Sequence, residues 1–383
     1  MPQHPIVDAA RELHPLIVKH RAEGDRQANL TREVRDACGE AGLFRMAAPR
    51  EVGGLELLPR DVVAATQIVS SADPAVGWFA LNSMAASFLA AFVGEEERKA
   101  LFEEPNANFG FAYMPGGKAT PVQGGYRLSG FWPVMTGGGN AKWAAISGHV
   151  MDGEAPRDVD GIPDAREFLV QTKDLQFKDS WKTVSAMRGT GSNGFSAEDL
   201  FVPEGFVVAP SDAPLIDRPY FRVPTVFQIL PADAAVILGI IESVFDSMIP
   251  ALSTQKAAVT GEWRRDQPAT QELIVQCTYM FRSAQAVLRE VTELASERIE
   301  NGEEIGAKER ADLYAIATQI FEIGRELASQ LFAGGTRDAF VRGHPLEQAL
   351  KDLHAIAYAR SAVRSLVYSS GRVLLGGEHD VGL

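Results

Sequence analysis

The spacing of apolar and polar residues divides the chain into three segments with different predicted structures. Across residues 7–104 the apolar positions recur at helical spacing, as at Val34 and Cys38, which predicts amphipathic helices. Across residues 108–210 short runs of β-forming residues alternate with glycine-rich turns, which predicts a small all-β domain. Helical spacing returns from about residue 226 in four segments, each longer than twenty residues, as in a four-helix bundle. These segments span roughly residues 232–259, 268–301, 307–333 and 345–375.

The order of the segments predicts a mainly α-helical chain with a central β domain. We place an N-terminal helical domain at residues 1–107, a middle β domain at 108–215 and a C-terminal four-helix bundle at 216–383. Asp73 and Pro74 interrupt the first helical segment and precede a long apolar helix, because proline ends one helix and suits the first turn of the next.

Composition and charge exclude several classes of protein. Of the 383 residues 46% are hydrophobic and 23% are charged, which is ordinary for a globular chain. The 37 Lys and Arg stand against 50 Asp and Glu, a formal net charge of −13, and this argues against binding nucleic acid or an anionic membrane. The two cysteines suggest no disulfide framework. No signal peptide and no apolar stretch of membrane-spanning length is recognised, so we expect a cytoplasmic protein.

Four familiar motifs are excluded, two by the residues around them and two because the sequence does not contain them. The segment Gly189–Gly194 fits G-x-G-x-x-G, but the stretch after it is too short for the helix that a dinucleotide-binding loop requires. Gly116-Gly117-Lys118 lacks the other residues of a phosphate-binding Walker loop. None of the seven histidines has the spacing of a zinc site, and no G-x-S-x-G motif is present. We therefore predict no Rossmann domain, no metal site and no serine hydrolase.

The segment Trp132–Trp143 is the strongest local candidate for a ligand site. It has a tryptophan at each end, with Thr136 and the three glycines Gly137–Gly139 between them. Glycine lets a flat ligand approach the main chain, a threonine hydroxyl forms a hydrogen bond, and an indole covers a ring face. The alternative is a plain β-turn between two tryptophans of the core, and from these residues alone both remain open.

Five segments of the chain, in the same order, resemble the acyl-CoA dehydrogenase superfamily and, within it, the group D flavin monooxygenases. They are Ala41-Gly-Leu-Phe-Arg45 with Gly53-Gly54, Asp73-Pro-Ala-Val-Gly-Trp78, Gly125-Tyr-Arg-Leu-Ser-Gly130 with the Thr136 turn, Met187-Arg-Gly-Thr-Gly-Ser192 before Asp199-Leu-Phe-Val-Pro203, and Gly334-Gly335 with Pro345-Leu-Glu347 and Lys351-Asp-Leu-His354. The resemblance covers about residues 25–375 and implies a helical domain, a β-barrel and a four-helix bundle.

The resemblance implies a flavin, FMN or FAD, between the β domain and the bundle. Thr136 would then form a hydrogen bond near the N5–C4 edge of the ring, Trp132 and Val134 would line the ring, and Gly137 would let it approach the main chain. The family's arginine that clamps the diphosphate of FAD is missing at the matching stretch, residues 255–259, so the form of the flavin stays open.

Other contacts to the flavin are implied around the edges of this site. Arg188 and Ser192 lie in a loop that helps to hold the flavin in the monooxygenases. The alternative for Arg188 is a salt bridge that shapes this loop. Gly334 and Gly335 would approach the phosphates of a flavin bound by a neighbouring subunit. A site shared in this way requires a homo-oligomer, and the superfamily usually forms tetramers.

The chain departs from the dehydrogenases of this superfamily at the catalytic base. The usual glutamate is replaced by Arg360, and arginine stays protonated and cannot remove a proton from carbon. Glu242 is the remaining candidate base, with an exposed carboxylate on a helix as the alternative. The family's E-P-G-x-G-S-D loop is replaced by a segment that begins at Tyr113, so oxidation of an acyl-CoA is disfavoured.

The monooxygenase hypothesis fits better. Those enzymes use O₂ and reduced flavin from a separate reductase to oxygenate a small molecule, here expected to be mostly apolar. Two histidines of many members are missing, at Ala359 and near residues 82–87, which leaves His354 as a candidate catalytic residue or a polar residue of the helix surface. The predicted substrate pocket consists of Asn82, Ser83, Ser87 and Tyr113. Two alternatives remain, a flavin dehydrogenase or oxidase using Glu242, and a protein of this fold that binds a ligand or partner without redox activity.

Overall fold

The structure, a computed structural model, describes residues 4–335, 337–359 and 364–378, with the backbone alone at residues 337, 338 and 359. Helices form the first third, strands the middle and helices the remainder, in the order that the sequence predicts. The N-terminal helices are α1 (Pro5–Gln27), α2 (Arg32–Glu40), α3 (Pro59–Ala72), α4 (Pro74–Phe88) and α5 (Glu95–Leu101).

The first residues of α2 and α4 show why these helices begin where they do. The side chain of Thr31 accepts a hydrogen bond from the main-chain N–H of Val34, and that of Asp73 accepts one from Ala75 N at 2.9 Å. Each cap satisfies an N–H that has no partner within its helix. Pro74 occupies the first turn of α4, where the missing N–H of proline costs nothing.

The middle of the chain forms one mixed sheet. Its strands are β1 (Phe109–Val122), β2 (Gly125–Trp132), β3 (Trp143–Asp152), β4 (Ala155–Pro156), β7 (Ala165–Gln171), β8 (Gln176–Lys178), β9 (Gly194–Pro203) and β10 (Val207–Val208), beside a separate small hairpin of β5 (Asp158–Val159) and β6 (Ile162–Pro163). The order is β10-β7-β3-β1-β2-β9-β8, with β1 and β3 parallel. β10 and β8 are therefore edges, and the predicted barrel is an open sheet.

The C-terminal helices are α6 (Thr225–Thr254), α7 (Pro268–Glu300), α8 (Ala307–Gly334), α9 (Pro345–Ala359) and α10 (Arg364–Leu374). They occupy the predicted positions of the bundle, except that α6 begins seven residues before the predicted 232 and that the fourth predicted segment holds both α9 and α10. Residues 360–363 between α9 and α10 lie outside the described part of the chain.

Helix α4 lies at the centre of the molecule, between α3, α6 and the sheet. Gly77 permits the close contact with α3 and α6, because a Cβ there would lie 1.8 Å from Ser70 Oγ of α3 and 3.3 Å from Val236 Cγ2 of α6. On the other side, Ala85 and Leu89 pack against Phe109 of β1. The same helix therefore contacts both the bundle and the sheet face that carries the candidate site.

Two helical segments, Pro74–Phe92 and Thr225–Thr254, are long and apolar enough to cross a membrane, which corrects the sequence-based prediction that no stretch reaches this length. Burial inside the protein explains why both helices are so apolar, since 83% of the most apolar window of the first and 61% of that of the second are buried. Central helices of a folded domain meet the same criterion of length and composition.

Candidate active site

A chain of buried hydroxyl groups connects the Thr136 turn to the loop at residues 187–192. Thr136 Oγ1 lies 2.9 Å from Ser192 Oγ, and Ser192 Oγ lies 2.8 Å from Thr190 Oγ1. Thr190 Oγ1 donates to the carbonyl of Met187 at 2.7 Å. All three hydroxyl-bearing residues are at most 3% exposed, so the chain is shielded from water. The structure thus brings together Thr136 and Ser192, two residues that the sequence placed at the flavin.

The loop that carries Ser192 is held in place by helix α9. Asp352 Oδ1 accepts hydrogen bonds from Met187 N at 2.7 Å and from Gln348 Nε2 at 2.8 Å. Met187 has a positive φ of 50°, a conformation that a non-glycine residue adopts only when its surroundings enforce it. Burial raises the pKa of Asp352 to about 7, although its bond to the Met187 N–H opposes this shift.

The sheet face beside Thr136 is apolar at the residues that pair with it and polar two residues further along the strands. We call these polar residues the polar row. Thr136 forms an antiparallel β-bridge with Phe111 of β1, and Phe111 pairs with Ala145 of β3. Two residues further along the same strands lie Tyr113 and Ser147, and Ser147 pairs with Glu167 of β7. Because every second residue of a strand faces the same side, these groups share the face that packs against the helices.

Glu167 and Tyr113 are the titratable groups of this row. Burial raises the pKa of Glu167 to about 8, against a hydrogen bond from Ser147, and Glu167 Oε2 has no hydrogen-bond partner in the described structure. Burial and the nearby Glu167 carboxyl raise the pKa of Tyr113. At neutral pH Glu167 is therefore mostly a neutral acid, which donates a hydrogen bond and does not act as a strong base.

Apolar side chains remain exposed where the strands end next to this row. Val134 is 50% exposed, Met114 60% and Tyr113 45%. Exposed apolar groups gathered around a few buried polar atoms are typical of a surface that binds a small molecule. We call Thr136, Val134, Tyr113 and Met114 the ring platform: Val134 lies two residues before Thr136, and Tyr113 and Met114 follow Phe111, which pairs with Thr136.

The comparison with known protein families decides how this platform is interpreted. Residues 3–105 match the model of the acyl-CoA dehydrogenase N-terminal domain, and residues 232–362 match that of the acyl-CoA dehydrogenase C-terminal domain. The chain belongs to the acyl-CoA dehydrogenase family.

Two curated relatives of this acyl-CoA dehydrogenase family member are oxygenases. Indole-3-acetate monooxygenase of Pseudomonas putida is 27% identical over 87% of this chain and 84% of its own length. The flavin-dependent monooxygenase oxygenase subunit HsaA of Rhodococcus jostii is 27% identical over 90% and 91%. These relatives confirm the prediction of a flavin-dependent monooxygenase, and hence of an oxidoreductase.

A solved structure confirms the fold of the family. The 3-HSA hydroxylase from Rhodococcus sp. RHA1 superposes with a TM-score of 0.89 at 22% identity, covering 99% of this chain and 98% of that one. The prediction of an acyl-CoA dehydrogenase-like fold, with helical domains on both sides of a central sheet, is therefore correct.

Trp132 and Gly137 do not have the roles that the resemblance implied. Trp132 is only 1% exposed and donates from Nε1 to the carbonyl of Ser147 at 2.8 Å, so its indole belongs to the core on the opposite side of the sheet. Gly137 has a φ of 76°, and a Cβ there would lie 3.1 Å from the ring of Phe79. Its α-carbon is thus covered by α4 and is not open to a ligand.

Arg188 shapes the loop and is not free to hold a flavin. Its Nε donates to the carbonyl of Asp25, and its Nη1 donates to the carbonyls of Lys182 and Val184, at 2.7–2.9 Å. Of the two interpretations that the sequence left open, the structure therefore supports the structural one.

Two of the predicted pocket residues use their hydroxyl groups inside the protein. Ser83 Oγ donates to Phe44 O and accepts from Phe109 N, which ties α4 to β1, and Ser87 Oγ donates to Met84 O. Both serines are fully buried, so the prediction that they line a pocket is wrong. Asn82 is half-buried, and its amide donates to Trp78 O, while Tyr113 lies in the ring platform.

The predicted catalytic residues Glu242 and His354 lie away from the ring platform. Glu242 accepts a hydrogen bond from Gln67 Nε2 at 2.8 Å, next to a cavity of about 340 Å³ between α3, α6 and α7. His354 is exposed on α9, with Nε2 3.4 Å from Ser329 Oγ of α8. Neither contacts the hydroxyl chain, so these two assignments are corrected, and Arg360 lies outside the described residues.

Gly334 and Gly335 are glycines because of the protein's own packing. A Cβ on Gly334 would lie 2.0 Å from Leu273 Cδ2, and one on Gly335 would lie 2.9 Å from Leu346 Cδ1. The carbonyl of Gly334 accepts a hydrogen bond from Arg264 Nη2 at 2.9 Å. The predicted approach of phosphates to these α-carbons is not supported, whereas a basic group lies beside them.

That basic group is a hairpin between α6 and α7. Lys256 and Trp263 form a β-bridge, with Lys256 Nζ 4.8 Å from the centre of the Trp263 ring and the Arg265 guanidinium 4.9 Å from it. With Arg264 they form the basic hairpin. The family's clamp arginine is missing, but the folded hairpin brings three other cationic side chains together near the same stretch.

Sequence reasoning also missed Thr190, Glu167 and Asp233. Thr190 was part of a recognised motif, but only the fold shows that its hydroxyl bonds to Ser192. Asp233 stands in an apolar run, which is the signal that could have identified it, whereas Glu167 follows Arg166 and carries no such signal. Burial raises the pKa of Asp233 to about 8, and its Oδ1 has no partner in the described structure.

Proposed function

We propose that this protein is the oxygenase component of a two-component flavin monooxygenase and acts on a small, mostly apolar molecule. A separate reductase would supply the reduced flavin, since a relative is named as an oxygenase subunit. One observation carries the proposal most directly: the Thr136 turn pairs with the strand that carries the exposed Tyr113 and Met114, and the two other predicted catalytic residues, Glu242 and His354, bond elsewhere.

The residues of the platform fit a flavin ring and a neutral substrate. Bound reduced flavin would supply the activation of O₂. Thr136 would fix one polar edge of the ring, and Val134 with Met114 would exclude water from it. The neutral carboxyl of Glu167 would hold a proton at Oε2 near the Tyr113 hydroxyl, where it can donate to an oxygen or nitrogen of the substrate.

Transfer of oxygen from O₂ tests the proposed reaction. Purified protein is mixed with chemically reduced flavin, isotopically labelled O₂ and a panel of small aromatic substrates, of which indole and resorcinol are members. We expect label in one product and none when label is supplied as water. Oxidation of a substrate without incorporated label would support the dehydrogenase or oxidase alternative.

The positions of Glu242 and His354 give a second test of that alternative. Glu242→Gln and His354→Gln should each leave turnover within about twofold of the unchanged protein, because neither side chain contacts the platform. A loss of a hundredfold or more in Glu242→Gln would identify Glu242 as a base. Absence of flavin binding in both redox states would instead favour the non-redox alternative.

We further propose FAD as the flavin, on the strength of the basic hairpin. Lys256, Arg264 and Arg265 supply positive charge for a diphosphate, and Trp263 supplies an aromatic face for an adenine ring. Arg265→Ala should weaken binding of FAD about tenfold and leave FMN unchanged. Equal losses for both flavins would contradict the assignment.

A homo-oligomer, most simply a tetramer, is proposed from an exposed apolar stripe on α7. The stripe follows helical spacing and consists of Val275, Tyr279, Val287 and Leu294, each more than 40% exposed. Such a stripe on a helix normally packs against another element. Light scattering of the purified protein tests the oligomeric state.

We also propose a cytoplasmic location, consistent with two buried free cysteines, Cys38 and Cys277.

A further inference from the structure

Met114 differs from the other methionines of the described chain in its exposure. The sequence contains nine methionines, of which Met1 lies outside the described residues. Six of the other eight are at most 8% exposed, and Met280 of α7 is half-buried against the core. Met114 is 60% exposed. Among these eight thioethers, that of Met114 is therefore the one that a small dissolved oxidant reaches most easily.

The exposure of Met114 follows from an irregularity in β1. This strand pairs with β3 up to Ala112 and again from Gly117, and between these pairs four residues of β1 stand opposite the single residue Ser147. The described pairing of β1 with β2 also begins only at Gly117. Residues 113–116 thus form a bulge, and Pro115 within it has no N–H for a ladder. Bulges turn side chains away from the regular sheet and are common beside binding sites.

Met114 forms part of the apolar surface of the ring platform. Tyr113 and Val134 of the platform are 45% and 50% exposed, and Phe131 of the adjoining β2 is 50% exposed. The bulge runs directly beside β2, since a Cβ on Gly116 would lie 2.5 Å from the carbonyl oxygen of Phe131. The thioether of Met114 is apolar like these neighbours. A polar group in its place would change the surface that a bound ring contacts.

The proposed reaction supplies an oxidant for this thioether. When O₂ takes two electrons and two protons from reduced flavin and no substrate is oxygenated, the product is hydrogen peroxide. Peroxide converts a methionine into its sulfoxide. The sulfur gives up two electrons, the O–O bond breaks, one oxygen forms a bond to sulfur, and the other leaves as water.

We infer that Met114 is an oxidation site, at which the sulfoxide lowers the affinity of the protein for flavin when the oxygenase operates without substrate. The inference rests on the proposed function. The sulfoxide is polar and chiral where the platform is apolar, so it weakens contact with a bound ring. Less bound flavin then produces less peroxide. Methionine sulfoxide reductases reverse the modification, so the loss of affinity is reversible.

The test treats the purified protein with increasing concentrations of hydrogen peroxide, removes the peroxide with catalase and digests a sample with trypsin. Cleavage after Lys99 and Lys118 yields a peptide, 100–118, in which Met114 is the only methionine. The peptide 266–282 reports in the same way on Met280. We expect one added oxygen at Met114, located by fragmentation, before any at Met280.

Flavin affinity is measured by fluorescence on the same samples. The dissociation constant of the bound flavin, FAD or FMN, should rise about tenfold when Met114 is oxidised, which is the value of the apolar contact that one methionine side chain makes. Methionine sulfoxide reductases should restore both the mass of the peptide and the affinity. An unchanged affinity after complete oxidation of Met114, or oxidation of Met280 before Met114, overturns the inference.

A second experiment tests the source of the oxidant. Repeated addition of reduced flavin in air, without substrate, should oxidise Met114, and catalase should prevent this. Oxidation that persists with catalase would contradict dissolved peroxide as the oxidant. Failure of the protein to bind either flavin before oxidation would overturn the proposed function, and the inference with it, whichever methionine is oxidised first.

Two variants assign the effect to one sulfur atom. Met114→Leu keeps an apolar side chain of similar volume and removes the sulfur. Whatever its own starting affinity for flavin, that affinity should not change after peroxide treatment. Met280→Leu is the matched control, because it makes the same substitution in α7, and its affinity should fall on oxidation as that of the unchanged protein does. An equal loss of affinity in peroxide-treated Met114→Leu would refute the assignment.

Discussion

Asp352→Asn should make the protein more stable at neutral and alkaline pH, although the side chain it replaces is well bonded. Asp352 is 2% exposed and accepts from Met187 N and Gln348 Nε2 through the same oxygen. An asparagine oxygen accepts both bonds equally. The substitution therefore keeps both hydrogen bonds to Oδ1 and removes the ionisation of a buried group, while the added amide N–H groups contribute an offset that does not vary with pH.

The sign and size of the effect follow from the pKa. Burial and the nearby Asp73 raise the pKa of Asp352 from 3.8 to about 7, against the bond from Met187 and the charge of Arg21. A group with a raised folded pKa costs nothing below its unfolded pKa, and its cost grows as the pH rises toward the folded value. A difference of roughly three pKa units corresponds to about 4 kcal/mol, which is an upper limit above pH 7.

The assay is urea unfolding of the unchanged protein and of Asp352→Asn, at steps between about pH 5 and pH 9. The free energy of unfolding of the variant should exceed that of the unchanged protein by an amount that grows up to about pH 7 and is constant above it. Asp352→Ala is the control: it also removes the ionisation but leaves the Met187 N–H unpaired, so its free energy of unfolding should lie about 1–3 kcal/mol below that of Asp352→Asn at every pH. A difference between Asp352→Asn and the unchanged protein that does not vary with pH would refute the reasoning.

Three other substitutions test the site and the sheet beneath it. In the unchanged protein turnover should fall as the pH rises through about 8, because the Glu167 carboxyl ionises there. Glu167→Gln should flatten this pH profile. A variant with the same profile as the unchanged protein would exclude Glu167 from the site. Trp132→Phe should lower the free energy of unfolding by about 1–3 kcal/mol, because the carbonyl of Ser147 loses its partner, while flavin affinity measured by fluorescence stays the same. Gly137→Ala should cost at least about 1 kcal/mol in urea unfolding, since it combines a positive φ with contact to Phe79, and a neutral result would contradict the packing described for that turn.

The sequence by itself determined the order of the structural layers and the family. Periodic apolar spacing predicts helices wherever one face of the helix is buried, and this placed the ends of α7 and α8 to within one residue. The Thr136 turn and the Ser192 loop were also found, since their motifs are local runs of residues. The boundary of α6 was less accurate, because Pro231 lies within the helix and looks like an end in the sequence.

Only the tertiary structure decided which side chains meet. Trp132 and Thr136 stand four residues apart, yet one enters the core and the other reaches Ser192, because alternation along a strand and the turn after it set their faces. Glu242 was a candidate base in the sequence, but in the structure its carboxylate accepts a hydrogen bond from Gln67 of α3. Thr136 and Ser192 meet although they lie 56 positions apart in the chain, and no local pattern of residues encodes that contact.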